Sequence, residues 1–236
     1  MSKRFKGKTC VYCAGVGLSE TADHVFAREF LPVEHRGNLP KVAACQPCNG
    51  TKSELEHYLA AVLPFGGRHP ASPSMLTEQV PRRIDANRRL QRELSEGQQH
   101  AWITEQGVTR RALAIPFKGE KLHQLFVMIT RGLTAHHFGH VIPADHYVGA
   151  SSLARWVQPY MEQMLSMRGA QRVSCSIGTG LFLYEGVQGI DTPSLTIWRY
   201  RIYGGITLAD TDQNGEMSDT IWATSTRLAS QSILTA

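Results

Sequence analysis

Apolar residues recur at helical spacing over 120–138, where Leu122, Leu125, Phe126, Ile129 and Leu133 share a face and Gly139 follows as a stop. Ile84, Leu90 and Leu94, set among arginines, predict a helix over 82–96, opened by Pro81 and closed by Gly97. A third helix is expected over 153–167, interrupted or kinked at Pro159. Strands are expected at 172–177, 181–185, 195–203 and 220–226, with a hairpin of 100–105 and 108–117 around Gln106-Gly107. This mixture predicts an α+β fold with an antiparallel sheet towards the C-terminus.

The first 69 residues differ from the rest: they hold four of the five cysteines and four of the ten histidines. A stretch rich in proline, glycine and serine follows, from Pro64 to Ser74. The expected organisation is a small module over 1–69, a linker over 70–81 and a larger α+β domain over 82–236. Apolar residues are 42% of the chain, enough to bury a core. The net charge of +5 suits a polyanionic partner but does not identify one. The basic N-terminus is followed by no apolar stretch, and no run reaches the roughly 18–20 apolar residues of a membrane span. A cytoplasmic protein without a membrane partner is the expectation.

Two Cys-x-x-Cys pairs, Cys10/Cys13 and Cys45/Cys48, are separated by 31 residues. Such pairs can present four thiolates to one tetrahedral zinc ion, and a small segment with few large apolar residues needs such a staple. Tetrahedral sulfur also admits iron. Between the pairs, Asp23-His24 places a carboxylate beside an imidazole, bracketed by strand-forming residues. Asn38 lies in a loop after Gly37, and Cys48-Asn49 leads into a helix through Lys52 and Glu56. Taken singly, each has a plainer reading: a surface pair for Asp23-His24, a turn for Asn38, a helix cap for Asn49.

Taken together, Cys10-x-x-Cys13, Asp23-His24-Val25-Phe26, Asn38-Leu39 and Ala44-Cys45-x-x-Cys48-Asn49-x-x-Lys52-Ser53 resemble the HNH endonuclease family over about the first 60 residues. The resemblance implies a ββα-metal fold, two strands and a helix clasped around one divalent ion, and phosphodiester cleavage. Under it, Asp23 and Asn49 supply hard oxygen ligands to a catalytic Mg²⁺ or Mn²⁺, and His24 takes a proton from water. Asn38 then orients the His24 ring. Lys41, Lys52 and Arg28 are candidate DNA contacts. Asn49 stands where many members carry histidine, and Ala27 where proline is frequent. The expected function is a metal-dependent DNA endonuclease, in a setting such as restriction or antiviral defence. The alternative is a non-catalytic zinc-stabilised protein that binds DNA or recruits a partner. Oligomeric state is open, a homodimer included.

The remaining two-thirds carries weaker signals. Arg82, Arg83, Arg88, Arg89 and Arg92 form a cluster that either follows phosphates or is a solvated helix face. His136, His137, His140 and His146 lack a cysteine to complete a metal set. Cys175 reads as a buried strand thiol. Trp156, Trp198, Tyr200, Tyr203 and Trp222 are core residues or base-stacking platforms.

Overall fold

A computed structural model of the chain describes residues 4–105, 107–153, 155–167, 169–206 and 219–227. Near the N-terminus, β1 (Thr21–His24) pairs antiparallel with β2 (Lys41–Ala44), Thr21 opposite Ala44 and His24 opposite Lys41. Two short 3-10 helices, Arg28–Phe30 and Val33–His35, occupy the connection. Helix α1 (Gln46–Val62) begins immediately after β2, with Cys45 as N-cap and Pro47 in the first turn, where its missing N–H costs nothing. Leu55, Tyr58, Leu59 and Val62 bury one side of it.

The expected linker is helical. Residues 70–81 contain α2 (Ser72–Glu78) and the start of α3 (Val80–Ala86), and Ser72, Met75 and Val80 are buried. Pro73 and Pro81 suggested a loop by composition, yet each stands in a first helical turn. The single helix expected over 82–96 is two, because Asn87 leaves helical geometry at φ −129° and ψ 83°. Its Oδ1 accepts from the Leu90 amide at 3.0 Å and caps α4 (Arg88–Glu96). The expected hairpin forms from β3 (Gln99–Glu105) and β4 (Val108–Ala114); Gln106, in its turn, lies outside the described residues. Helix α5 (Gly119–Phe138) ends as expected at Gly139, whose φ of 66° is the left-handed conformation glycine tolerates best. Pro159 does not kink a helix: it lies in the first turn of α6 (Gln158–Leu165), after a 3-10 turn at Arg155–Val157.

The main sheet comprises β5 (Tyr147–Ser151), which the pattern did not predict, β6 (Ala170–Ile177), β7 (Phe182–Gly189), β8 (Thr196–Ile202) and β9 (Ile221–Thr226). Its order is β5-β9-β8-β7-β6, every neighbouring pair antiparallel. Phe182, Tyr184, Trp198, Tyr200 and Ile202 belong to the cluster shared with α5 and the N-terminal segment. Val187, Ile197 and Trp222 pack with Met161 and Leu165 of α6 on the other side. Gly186 lies directly beneath Trp198, where a Cβ would come within 2.3 Å of the indole.

One core joins both ends of the chain. Phe26 meets Phe182 at 5.1 Å and Tyr184 at 5.5 Å between ring centres. A Cβ on Gly132 of α5 would lie 3.1 Å from both Val25 methyl groups. The boundary expected near residue 70 therefore does not separate two cores. Trp198, Tyr200, Tyr203 and Trp222 are at most 1% exposed, which rules them out as base-stacking platforms; Trp156 is 71% exposed. No helix among the described residues is long and apolar enough to cross a membrane.

Candidate functional site

The four N-terminal cysteines converge, their sulfurs all within 4.8 Å of one another, in a group able to hold a metal ion. Around one tetrahedral metal with bonds of about 2.3 Å, sulfurs stand about 3.8 Å apart, so the cluster fits with little movement. The first pair sits on a tight turn: the Ala14 amide donates to the Cys10 carbonyl at 2.8 Å, with Ala14 left-handed at φ 59°. The Val11 amide donates to the Ala43 carbonyl at 3.0 Å and ties this turn to β2. The second pair flanks the start of α1, Cys45 as cap and Cys48 in the first turn. Cys10 and Cys45 are buried, Cys48 half-buried and Cys13 exposed. Burial works to raise the Cys10 thiol, but backbone hydrogen bonds from Cys45, Cys13 and Tyr12 hold it below its usual range. Burial pushes the Cys13 and Cys48 thiols up, so it is a bound cation that would favour all four thiolates. Among the described residues no other group of three or more His, Cys, Asp or Glu side chains converges in this way.

Beside this cluster lies a buried polar network centred on Lys52. Its ammonium, fully buried, contacts Asp23 Oδ2 at 3.1 Å, donates to the His24 carbonyl at 2.7 Å and pairs with Glu56 one turn along α1. Tyr12 donates its hydroxyl to the same Asp23 Oδ2 at 2.5 Å. Both partners hold one carboxylate oxygen, and Oδ1 has no protein partner among the described residues. Burial pushes the Glu56 carboxyl up to about 7 although the Lys52 ammonium opposes it. Lys52, expected at DNA, is thus a buried structural cation with no surface to offer a phosphate. Tyr12 and Glu56 are not singled out by sequence; the i,i+4 spacing of Lys52 and Glu56 is a signal for Glu56, and no local pattern points to Tyr12.

His24 ends β1 half-buried, its imidazole free of hydrogen bonds among the described residues. Burial, then the positive charge of Lys41, lower its pKa, with Arg28 adding to the effect and Asp23 opposing it. The ring is therefore neutral at physiological pH. Lys41 lies directly across the β1–β2 pair from it and is exposed, as is Arg28. Strand alternation turns Asp23 inward to Tyr12 and Lys52 while His24 keeps partial solvent contact. Asn49 is not a helix cap: its amide makes a regular bond to the Cys45 carbonyl at 3.0 Å, and its half-exposed side chain is unpartnered among the described residues. Asn38 is exposed in a left-handed turn at φ 54° and makes no hydrogen bond to the His24 ring. The turn reading holds for this residue.

The other candidates disperse. His137 bonds the Tyr184 hydroxyl at 2.9 Å and His140 the Ser194 hydroxyl at 3.0 Å, so neither shares a ligand set. Cys175 is half-buried on β6, an edge strand, rather than buried. Arg131 of α5, not anticipated, holds the Ile142 carbonyl at 3.0 Å and the His146 carbonyl at 3.2 Å, within electrostatic reach of Cys13 and Cys48. The chain matches no family model, no curated protein and no solved structure.

Proposed function

We propose that the chain is a metal-dependent DNA endonuclease whose N-terminal hairpin and α1 form a ββα unit stapled by a structural zinc ion. The cysteine cluster suits zinc in donor type and spacing. The observation that carries the catalytic reading is His24: a neutral, unpartnered imidazole at a strand end, flanked by the exposed cations Lys41 and Arg28. Lys41 and Arg28 bind the phosphates on either side of the scissile bond. His24 accepts a proton from the attacking water as its oxygen bonds to phosphorus and the bond to the departing oxygen breaks. Tyr12 and Lys52 fix the Asp23 carboxylate by Oδ2 and leave Oδ1 open. Asp23 and Asn49 offer oxygen atoms suited to a hard divalent ion such as Mg²⁺ or Mn²⁺. When bound, that ion neutralises charge on the phosphate and the departing oxygen.

The test is plasmid nicking with added magnesium or manganese. His24→Ala is expected to lower the rate by about a hundredfold or more while leaving the fold and zinc content intact. No nicking by the unaltered chain, or equal nicking by His24→Ala, overturns the reading. A second reading, a zinc-stabilised DNA-binding protein without catalysis, is favoured by the buried Asp23–Lys52–Tyr12 contacts, which give Asp23 a structural use. Salt-sensitive DNA binding without cleavage in either metal supports it.

A further inference from the structure

The ribbon formed by β3 and β4 stands out from the body of the protein. Every one of its residues with a described side chain is exposed, with Trp102 at 73%, Val108 at 65% and Leu113 at 51%. Each strand has seven residues, a reach of about 20 Å. Its root, by contrast, is fastened. Gly97 abuts Pro116, where a Cβ would come within 2.6 Å of the ring. Lys118 pairs with Glu93 of α4 at 2.5 Å, and its amide donates to the Tyr58 hydroxyl of α1 at 2.9 Å. A two-stranded ribbon whose described side chains are all exposed gains little from folding alone, so a firm neck beneath it calls for a partner.

Charge identifies the kind of partner. Residues 82–121 hold nine Lys or Arg and five Asp or Glu, a net of +4 in a chain whose total is +5. Arg88, Arg89 and Arg92 are exposed on α4, the helix leading into the ribbon. At the root, a cleft of about 370 Å³ is walled by Arg89, Lys118 and Lys121 against Glu54 and Glu93, with His57 beside them. Glu54 and His57 of α1 line the same cleft, His57 about 12 Å of helix beyond Asn49, so the cleft adjoins the helix that bears the proposed metal ligand. On the ribbon, Arg111 sits opposite Trp102 and Leu113 opposite His100, so one face mixes cation, imidazole and apolar surface.

We propose that the β3–β4 ribbon is a DNA-docking arm. It lies in a groove of duplex DNA with Arg111 reaching phosphate or base edge and Trp102 covering sugar or base. The α4 arginines hold phosphates beside its root. The inference rests on the reading of the chain as a DNA-acting protein and specifies how the duplex is held. B-DNA's major groove, about 12 Å wide, admits a two-stranded ribbon. A second copy of the chain on this surface would set ribbons of net +1 and the exposed α4 arginines against their like, whereas a polyanion neutralises them.

The test is fluorescence anisotropy of a labelled duplex with the full-length, zinc-loaded chain and no added magnesium or manganese. Replacing 99–114 by a short glycine-serine turn is expected to weaken binding by about tenfold or more, and Arg111→Glu by roughly fivefold, with the log–log salt slope shallower by about 1. Arg111→Lys should retain most of the affinity. In a Trp156→Phe background, duplex DNA should shield Trp102 from acrylamide quenching. Unchanged melting of each variant shows that the body is intact. Affinity within about twofold for the arm-less chain, with no shielding of Trp102, overturns the proposal. So does failure of the unaltered chain to bind duplex, or a dimer that the arm-less chain loses while DNA affinity stays. Cleavage is read separately: binding through the arm without nicking sinks the nuclease reading alone, and equal nicking and binding without the arm sinks the arm alone.

Discussion

Between Cys10 and Ala44 the strands are four residues long and paired only with each other, and the side chains beneath them include a fully buried lysine, an aspartate and a tyrosine hydroxyl. In the five-stranded sheet the strands run to eight residues, and the space above them is filled by Phe182, Tyr184, Trp198 and Tyr200. Apolar burial stabilises the second region in proportion to area and needs no particular partner. The first shares in that apolar burial through Val25, Phe26, Phe30 and Leu31 but adds matched polar groups and a sulfur cluster, each of which fails when one member is lost. The contrast suits the proposed division of labour, because a reactive site needs fixed charges and open ligand atoms that an apolar core cannot supply. Phe26 and Val25, seated against the sheet and α5, let the fragile region borrow stability from the robust one.

Removing a metal ion held by the four cysteines should widen this contrast most. Chelation, or Cys45→Ser, is expected to unfold the hairpin and the first turns of α1, since apparent zinc binding energies in such sites reach about 10 kcal/mol or more. Hydrogen exchange should then rise sharply in β1, β2 and α1 and much less in β8. Uniform protection after chelation would break the comparison. Lys52→Met comes next, at about 3–5 kcal/mol, because it strands the buried Asp23 carboxylate. Urea unfolding measures it, and adding Asp23→Asn should recover part of the loss. On the apolar side, Trp198→Ala is expected to cost a similar 3–5 kcal/mol through the cavity it leaves. Unlike Lys52→Met, it should leave zinc affinity unchanged.

A smaller effect is a pH dependence of opposite sign in the two regions. Burial holds His137, packed between Tyr184 and Trp198, down to about 4. Its folded pKa lies below the unfolded 6.5, so the neutral ring's contribution is complete above 6.5 and is lost as pH falls towards 4. Glu56 is the reverse: raised from 4.5 to about 7, its contribution is complete below 4.5 and is lost as pH rises through 7. His137→Gln should flatten the acid limb of a melting-temperature profile, and Glu56→Gln the neutral one. If both variants flattened the same limb, the two regions would not be electrostatically distinct. Smallest of all, Arg111→Glu on the exposed ribbon should change stability by no more than about 0.5 kcal/mol, by urea unfolding.

The local sequence determined what depends on near neighbours. Helix α5 and its glycine stop, the β3–β4 hairpin and most of the β6–β9 meander follow from periodicity, because a buried stripe or face repeats every few residues. The cysteine cluster follows from spacing, because a Cys-x-x-Cys turn brings two sulfurs together wherever it occurs. Tertiary structure alone decided the rest. That Phe26 packs on Phe182, that Tyr12 and Lys52 share one oxygen of Asp23, and that Lys52 is buried rather than at a surface are contacts between residues far apart in the chain. Composition marked 70–81 as a linker because proline and serine serve loops and first helical turns alike, and only packing around Met75 and Val80 distinguishes them. A local pattern carries the preference of each segment. Which polar groups are stripped of water, and which are left open for chemistry, is set when distant segments close on one another.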